Sequence, residues 1–328
     1  LAAKPYGFSS GPDDRQVDQA HLNFSRAISL RETMEKYGDA HKALWAGNWG
    51  WNSLPAAWSG RPSIWGQASE EEQAQLTVDA LERARREWPW MGLMFLENWQ
   101  PDAGPDDPRW GYSIAGRPAA GAIQGYLRDI DPGVAYPGFH LAQEDDPAQQ
   151  YEGGWRFSSE YGADISQPAE GQAADRVTFN FWGTDAGLRV RRANFRARLY
   201  VTIDGEPANA LPRDENGAFL LLTSPDPAQD FVTTVQVAKD LEPGVHKMEL
   251  VASRGWDQWA LNGFSVGYSP LGAWAAWRVA ALLLGGVLFL VLGIYAGLRA
   301  DWGAAGRQVR SGYSALSDAA QIALTVLA

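Results

Sequence analysis

Two short segments combine carboxylate, amide and indole side chains where a run of apolar residues ends. They are Ala43–Pro55 (ALWAGNWGWNSLP) and Trp88–Asp102 (WPWMGLMFLENWQPD). Amide and carboxylate groups hydrogen-bond with sugar hydroxyls, and the CH faces of sugars stack on aromatic rings. Both segments are therefore candidates for contacts with carbohydrate. The candidate substrate-binding residues in them are Asn48, Trp49, Trp51, Asn98 and Trp99, together with the carboxylate of Glu97.

Glu97 follows the apolar run Met91–Leu96, so it occupies a strand end, where side chains of a catalytic site are commonly found. A carboxylate in that position can act as a general acid or base. The alternative is that Glu97 hydrogen-bonds within its own loop and that the tryptophans pack between strands and helices. Lys4 and Tyr6 are two further substrate-binding candidates near the start of the chain.

Strands and helices alternate in the segment that positions these residues. Ser69 and Glu72 have the spacing of a capping box, which predicts a helix from Glu70 to Trp88. Strand–helix alternation with loops after the strands predicts a parallel sheet. The other predicted elements of residues 1–130 are a helix over Val17–Tyr37, strands over Ala43–Ala46 and Met91–Leu96, and a helix near Pro118–Leu127.

These segments resemble the retaining clan of glycoside hydrolases, whose catalytic domain is a (β/α)₈ barrel. KPYGF at Lys4–Phe8 is similar to the His-x-Tyr-Gly that ends the sixth strand in that family. Trp45–Trp51 is similar to the Trp-x-Thr-Glu-x-Gly-Trp pattern of the seventh strand. The resemblance implies that residues 1–130 are the last three βα units of a partial TIM barrel.

The sequence departs from the family at two positions that bear on catalysis. In this alignment Asn48 stands where the nucleophilic glutamate belongs, and Lys4 stands where the family has histidine. An amide is a very weak nucleophile and cannot form the glycosyl-enzyme ester. A whole barrel needs about 250 residues. We therefore expect this chain to be a segment of a longer protein, with other segments of that chain as partners.

Residues 134–270 form a series of short strands with alternating hydrophobicity and turn clusters between them, such as Arg176–Gly183 (RVTFNFWG). This pattern predicts a β-sandwich or jelly roll. Pro243-Gly244-Val245-His246 resembles a turn of galactose-binding-like jelly rolls, in which the histidine is structural. This region also contains Trp155, Trp182, Trp256 and Trp259. They could form a carbohydrate-binding platform, but we favour packing in the core or between domains.

Val279–Leu298 contains twenty residues without a charge, enough to cross a bilayer as a helix. Basic residues follow it at Arg299, Arg307 and Arg310, and the positive-inside rule then places residues 1–270 outside the cytoplasm. The predicted division is a transmembrane helix over 271–300 and a cytoplasmic juxtamembrane segment over 301–328. The apolar run from Ala319 is a candidate start of a second span.

Composition narrows the possible activities. The chain has no cysteine, 4 histidines and a net charge of −11, from 28 basic and 39 acidic residues. This excludes thiol chemistry and argues against nucleic acid as a partner. We find no nucleotide-binding loop, and acidic loops such as Glu144–Asp146 lack the spacing of a calcium site. We predict no cofactor and no metal.

The sequence thus predicts a multidomain α/β plus all-β protein with a C-terminal transmembrane helix. The favoured function is a membrane-anchored, extracytoplasmic glycoside-hydrolase-like protein that acts on or binds a glycan or polysaccharide. Asn48 indicates that hydrolysis is lost or altered, and the sequence leaves open whether the protein is an enzyme. The alternative is a non-catalytic structural or interaction ectodomain of a larger multi-span membrane protein.

Overall fold

A computed structural model describes residues 1–18, 20–166, 174–253, 259–269 and 273–299, and in the last part 303–304, 307–308 and 310–311. The chain forms two compact units, Leu1–Pro270 and Leu271–Ala328. The first elements in chain order are β1 (Ala2–Ala3), α1 (Ala27–Lys36), β2 (Leu44–Trp49), α2 (Glu70–Glu87), β3 (Met91–Leu96) and α3 (Pro118–Arg128). Two 3₁₀ turns, Phe24–Arg26 and Pro108–Tyr112, join them.

The three strands β1, β2 and β3 form a parallel sheet in that order. The predicted capping box is confirmed, because the Glu72 N–H donates to Ser69 Oγ at 3.1 Å and the Ser69 N–H donates to Glu72 Oε2 at 2.8 Å. The first predicted helix is shorter than expected. The Asp18 carboxylate accepts the N–H groups of Ala20 and His21, which makes a turn there, and α1 begins only at Ala27.

The two faces of this sheet differ in burial. Leu44, Ala46 and Trp49 of β2 are buried in a core that includes Phe24, whose ring stacks on Trp88 with centroids 4.9 Å apart. The opposite face carries large apolar side chains that stay exposed. They are Trp45 at 46%, Leu93 at 54% and Phe95 at 47%.

The prediction of a partial (β/α)₈ barrel is wrong. The described residues contain one open sheet of three parallel strands, and the other strand ladders are antiparallel in two further sheets. Strand–helix alternation predicts parallel neighbours, but it contains no information about closure, which requires eight tilted strands in a consistent stagger.

The predicted β-sandwich is confirmed. Its strands are β4 (Gly138–Leu141), β5 (Gln149–Glu152), β6 (Arg156–Ser158), β7 (Gly162–Asp164), β8 (Arg176–Gly183), β9 (Asp185–Arg192), β10 (Arg198–Ile203), β11 (Glu206–Pro207), β12 (Arg213–Asp214), β13 (Gly217–Leu221), β14 (Phe231–Ala238), β15 (Gly244–Ala252) and β16 (Leu261–Gly267). One sheet has the order β12-β13-β10-β15-β8-β5, with β11 paired to β10. The other has the order β14-β9-β16-β7-β6, with β4 paired to β16.

Alternate residues of these strands fill the space between the two sheets. Phe179 of β8 and Phe264 of β16 stack at 4.2 Å between ring centroids, and both are fully buried. His246 makes two contacts with oxygen atoms, at 2.7 Å to the Asp204 carboxylate and at 2.8 Å to the Glu242 carbonyl. These contacts fit the structural role predicted for the histidine.

The helix α4 (Ala273–Arg299) belongs to the second unit. Its segment Ala280–Arg299 is long and apolar enough to cross a membrane, judged by length and composition. The orientation predicted from the basic residues stays a prediction. The candidate second span from Ala319 lies outside the described residues, as does Trp256.

Candidate functional site

Glu97 and Tyr6 meet where the parallel strands end. The Tyr6 hydroxyl donates to Glu97 Oε2 at 2.5 Å, although 91 residues separate the two in sequence. Two backbone hydrogen bonds hold the chain segments together. They run from the Gly7 N–H to the Gly50 carbonyl at 3.2 Å and from the Glu97 N–H to the Trp49 carbonyl at 2.9 Å. The carboxyl ends of β1, β2 and β3 therefore carry the site.

Tyr112 joins this pair from the 3₁₀ turn Pro108–Tyr112, and the sequence analysis did not find it. Its ring lies 5.4 Å from that of Tyr6 and 5.8 Å from that of Trp65, centroid to centroid. Its hydroxyl is buried and has no hydrogen-bond partner among the described residues. No motif connects Tyr112 with Tyr6, because loops that are distant in sequence bring them together.

The electrostatics keep both phenols neutral. Burial raises the pKa of Tyr6 well above its ordinary value of 10.0, and the hydrogen bond to Glu97 raises it further. Burial likewise raises the pKa of Tyr112, with smaller effects of Tyr6 and Glu97. A neutral phenol is a hydrogen-bond donor. Tyr6 therefore stays a donor to Glu97 throughout the physiological pH range.

An ion-pair cluster joins the loop after β3 to Arg61, which lies in the loop after β2. The Asp107 carboxylate accepts a hydrogen bond from the Arg109 guanidinium at 2.9 Å and another from Arg61 at 2.9 Å. Hydrogen bonds from the Arg109 side chain and backbone lower the pKa of Asp107 to about 2. Asp106 lies 3.4 Å from Arg61. Both aspartates are thus paired with arginines, whereas the described partner of the Glu97 side chain is Tyr6.

The other predicted residues divide between surface and core. Trp99 is 63% exposed, and its carbonyl accepts the N–H groups of Ile114 and Ala115, which fixes the loop. Asn48 and Asn98 are half-buried. Trp49 and Trp51 are 1% and 2% exposed, so their rings lie in the core.

The two core tryptophans share one neighbour. Their ring centroids lie 6.0 and 5.8 Å from that of Phe24. The Trp51 indole N–H donates to the Ser10 carbonyl at 2.7 Å. Lys4 is exposed and lines a separate cleft beside α1. The structure thus brings Tyr6 to Glu97 but places Lys4 elsewhere.

The tryptophans of the β-sandwich also differ in accessibility. Trp155 and Trp182 are 9% exposed and pack inside the protein, as the sequence favoured. Trp259 is half-buried, with Arg156 5.9 Å above its ring. Among the described residues, no group of three or more acidic or histidine side chains is placed to hold a metal ion.

No family model matches this sequence, and no curated protein matches it. The structure is similar to solved carbohydrate-active proteins. One is a family two carbohydrate esterase from Clostridium thermocellum in complex with cellohexaose. The match has 21% sequence identity and a TM-score of 0.26, and it covers 36% of this chain and 31% of the esterase. Another is a two-domain esterase active on acetylated mannans, co-crystallised with mannopentaose. The match has 14% sequence identity and a TM-score of 0.31, and it covers 46% of this chain and 45% of that esterase.

A carbohydrate-binding module is also similar, CBM35 from Paenibacillus barcinonensis. Its identity is 12%, over 40% of this chain and 98% of that one, and the TM-score is 0.24. The chain spans less than two thirds of the length of the two esterases. At these TM-scores the likeness carries no functional argument, and it does not show the retaining glycoside-hydrolase barrel that the sequence resemblance implied.

Proposed function

We propose that the Leu1–Pro270 unit binds a glycan or polysaccharide at the carboxyl ends of its parallel strands. The observation that supports this most is the hydrogen bond between Tyr6 and Glu97, two residues before the exposed Trp99. We name this group the strand-end site and define it as Tyr6, Glu97, Asn98, Trp99 and Tyr112. It combines the two chemistries that sugars require, a charged hydrogen-bond acceptor and flat apolar surfaces.

Each member of the strand-end site has a distinct role in this proposal. The Tyr6 hydroxyl fixes one oxygen of Glu97, so the remaining lone pairs can accept hydrogen bonds from sugar hydroxyls. The exposed ring of Trp99 supplies a face for stacking. Asn98 carries both donors and acceptors, and the buried ring of Tyr112 packs against that of Tyr6.

Binding without hydrolysis fits this arrangement better than catalysis. Two-carboxylate glycoside hydrolysis requires a second free carboxyl group about 5 Å or about 6.5–9.5 Å from the first. The nearby Asp106 and Asp107 are paired with Arg61 and Arg109. Asn48 contributes an amide, which does not titrate.

The apolar segment of α4 completes the proposal as a membrane anchor. Arg299, Arg307 and Arg310 after the span support an extracytoplasmic position for residues 1–270. A second candidate function, a non-catalytic interaction ectodomain, is favoured by the exposed apolar face of Trp45, Leu93 and Phe95. Apolar clusters of this kind mark interaction sites in soluble proteins.

A glycan array with the full chain in detergent micelles distinguishes the two functions. We expect at least one saccharide to bind, and cellohexaose and mannopentaose are the first titrants for calorimetry. Trp99→Ala should weaken that binding about tenfold, the equivalent of roughly 1.4 kcal/mol for a lost aromatic contact. Trp45→Ala is the matched control, since Trp45 is also exposed but lies outside the strand-end site. Absence of binding to every saccharide would favour the interaction ectodomain.

A further inference from the structure

A cleft of about 530 Å³ lies between the segment after β1 and the start of α1. Its lining residues do not include those of the strand-end site. Its floor is formed by the buried Ala3, Pro5 and Ala27. We name it the α1 cleft. The other lining residues are Lys4, Phe8, Val17, Asp18, Leu22, Asn23, Arg26, Ser29, Leu30 and Thr33.

Two cations, Lys4 and Arg26, and one carboxylate, Asp18, line this cleft in a chain whose net charge is −11. The side chains of Lys4 and Arg26 form no ion pair with the described residues, unlike Arg15, Arg31 and Arg83, which pair with glutamates. Two unpaired cations against one carboxylate, which accepts the N–H groups of Ala20 and His21, leave a local excess of positive charge that attracts anions. The α1 cleft is therefore suited to a ligand that carries negative charge.

Asn23 adds an unsatisfied acceptor to the cleft. It is 2% exposed, and its Nδ2 donates to the Gln16 carbonyl at 2.9 Å. Its Oδ1 has no hydrogen-bond partner among the described residues. A buried acceptor without a donor is costly, and a ligand hydroxyl or amide could satisfy it. Ser29 and Thr33 also line the cleft, and the Thr33 hydroxyl donates to the Ser29 carbonyl at 2.8 Å.

Apolar side chains form the remaining walls and connect the cleft to the strand-end site. Leu22 and Leu30 are 49% and 40% exposed there. Phe8 also lines the cleft, and its ring lies edge-on to that of Tyr6, with centroids 6.3 Å apart. Phe8 thus lines the α1 cleft and also contacts Tyr6, whose hydroxyl donates to Glu97. A chain-like ligand at the strand-end site could reach the α1 cleft past this ring.

We propose that the α1 cleft binds an acidic saccharide, a sugar unit bearing a carboxylate or sulfate, next to the strand-end site. Lys4 and Arg26 attract the anionic group, Asn23 accepts a hydroxyl, and Phe8 and Leu22 contact the CH face. The combination of hydroxyl partners with apolar walls favours a saccharide over an acidic peptide. This inference rests on the proposed binding of carbohydrate and gives that ligand its chemical class.

The test is calorimetric titration of the full chain in detergent micelles with tetragalacturonate, and with its methyl ester as the neutral control. We expect the acid to bind more tightly than the ester, and its affinity to fall with added salt. Lys4→Gln and Arg26→Gln should each weaken binding of the acid roughly fivefold, the upper end for an exposed ion pair. Neither should change binding of the ester. Lys36→Gln is the matched control, because it removes the same charge from α1 outside the cleft.

Several outcomes would overturn the inference. They are equal affinity for acid and ester, binding of the acid that is insensitive to both cleft substitutions, or tighter binding of a hexaglutamate peptide than of the acid. Neutral saccharide binding that depends on Trp99 but shows no preference for acid would refute the α1 cleft and leave the proposed function intact. Acid binding that depends on Lys4 and Arg26 but not on Trp99 would support the cleft and refute the strand-end site.

Discussion

At the scale of residues, the contact between Tyr6 and Glu97 organises the strand-end site. A hydrogen bond to a charged group contributes about 1.5–3 kcal/mol, more than one between neutral groups. Tyr6 is half-buried, so part of that contribution is lost to solvent. The hydrogen bond nevertheless selects one orientation of the carboxylate, which a ligand would then find already positioned.

Replacing Tyr6 by Phe should reduce the free energy of unfolding by about 1–2 kcal/mol, because Glu97 loses its hydroxyl donor while the ring contacts remain. Urea unfolding of the full chain in detergent micelles measures this change. Tyr37→Phe is the control, since Tyr37 is 75% exposed. Equal stability of the two variants would mean that the hydrogen bond to Glu97 makes no net contribution.

The sequence contained part of this site. Glu97 and Trp99 were predicted because they follow an apolar strand, and Tyr6 because its neighbours resemble a known motif; their role in binding stays a prediction. Tyr112 was missed, since its proximity to Tyr6 depends on the path of the loop after β3. The burial of Trp49 and Trp51 was left open, because period-two alternation in β2 is interrupted by irregular pairing between Ala46 and Trp49.

At the scale of elements, α2 contributes both a defined start and a buried ion-pair network. Arg83 is almost fully buried and lies 3.0 Å from Glu87, which also accepts a hydrogen bond from Arg15 at 2.8 Å. Burial raises the pKa of Glu87, but the hydrogen bonds and charges of the two arginines outweigh it. The resulting pKa lies below the ordinary value of 4.5.

Ser69→Ala should destabilise the Leu1–Pro270 unit by about 1 kcal/mol, because it removes the acceptor for the Glu72 N–H at the start of α2. Thermal unfolding followed by circular dichroism measures the loss. Ser59→Ala is the control, because Ser59 is an exposed serine in the loop between β2 and α2, outside any helix. If the two variants melt together, the capping box does not limit stability.

The lowered pKa of Glu87 predicts a loss of stability in acid. A carboxylate with a depressed pKa stabilises the fold above the unfolded pKa, and that contribution disappears as pH falls through the folded pKa. The free energy of unfolding should therefore decrease below about pH 4.5. Urea unfolding at a series of pH values measures this decrease. Glu87→Gln should lower the free energy of unfolding at pH 7 and make its decrease in acid smaller, whereas Glu215→Gln should change neither. An unchanged acid limb in the Glu87 variant would exclude this role.

Element positions were predictable where the pattern was local. The strand Arg176–Gly183 and the start of α2 were found from alternation and the capping box. The Val17–Tyr37 helix was overestimated, because helical spacing of Leu22 and Ala27 concealed the turn at Asp18. Local patterns could not predict whether the parallel sheet closes into a barrel, because closure depends on strands that are distant in the chain.

At the scale of the whole molecule, α2 joins the parallel sheet to the β-sandwich within one unit. The Arg85 guanidinium lies 3.8 Å above the ring of Tyr136, and that of Arg86 lies 4.5 Å above the ring of Trp182. The two rings stack with centroids 5.7 Å apart. Cation–π contacts contribute about 0.5–1 kcal/mol at exposed sites and about 2 kcal/mol when desolvated, and the side chains of Arg85 and Arg86 are 22% and 42% exposed.

Trp182→Ala should therefore weaken the connection between the two parts as well as the sandwich itself. We expect calorimetric unfolding of the full chain in micelles to separate into two transitions. Trp155→Ala is the matched control, because Trp155 is equally buried but contacts only the sandwich. A single transition in both variants, lowered by the same amount, would contradict a connecting role for Trp182.

The central claim concerns where carbohydrate binds, and amide hydrogen exchange of the full chain with and without a bound saccharide tests it most directly. We predict slower exchange in the segments that contain Tyr6, Glu97–Trp99 and Tyr112 when the saccharide is present. Exchange in the outer strands of the sandwich, such as β12 and β14, should not change. Protection confined to the sandwich, with none at Glu97–Trp99, would contradict the strand-end site.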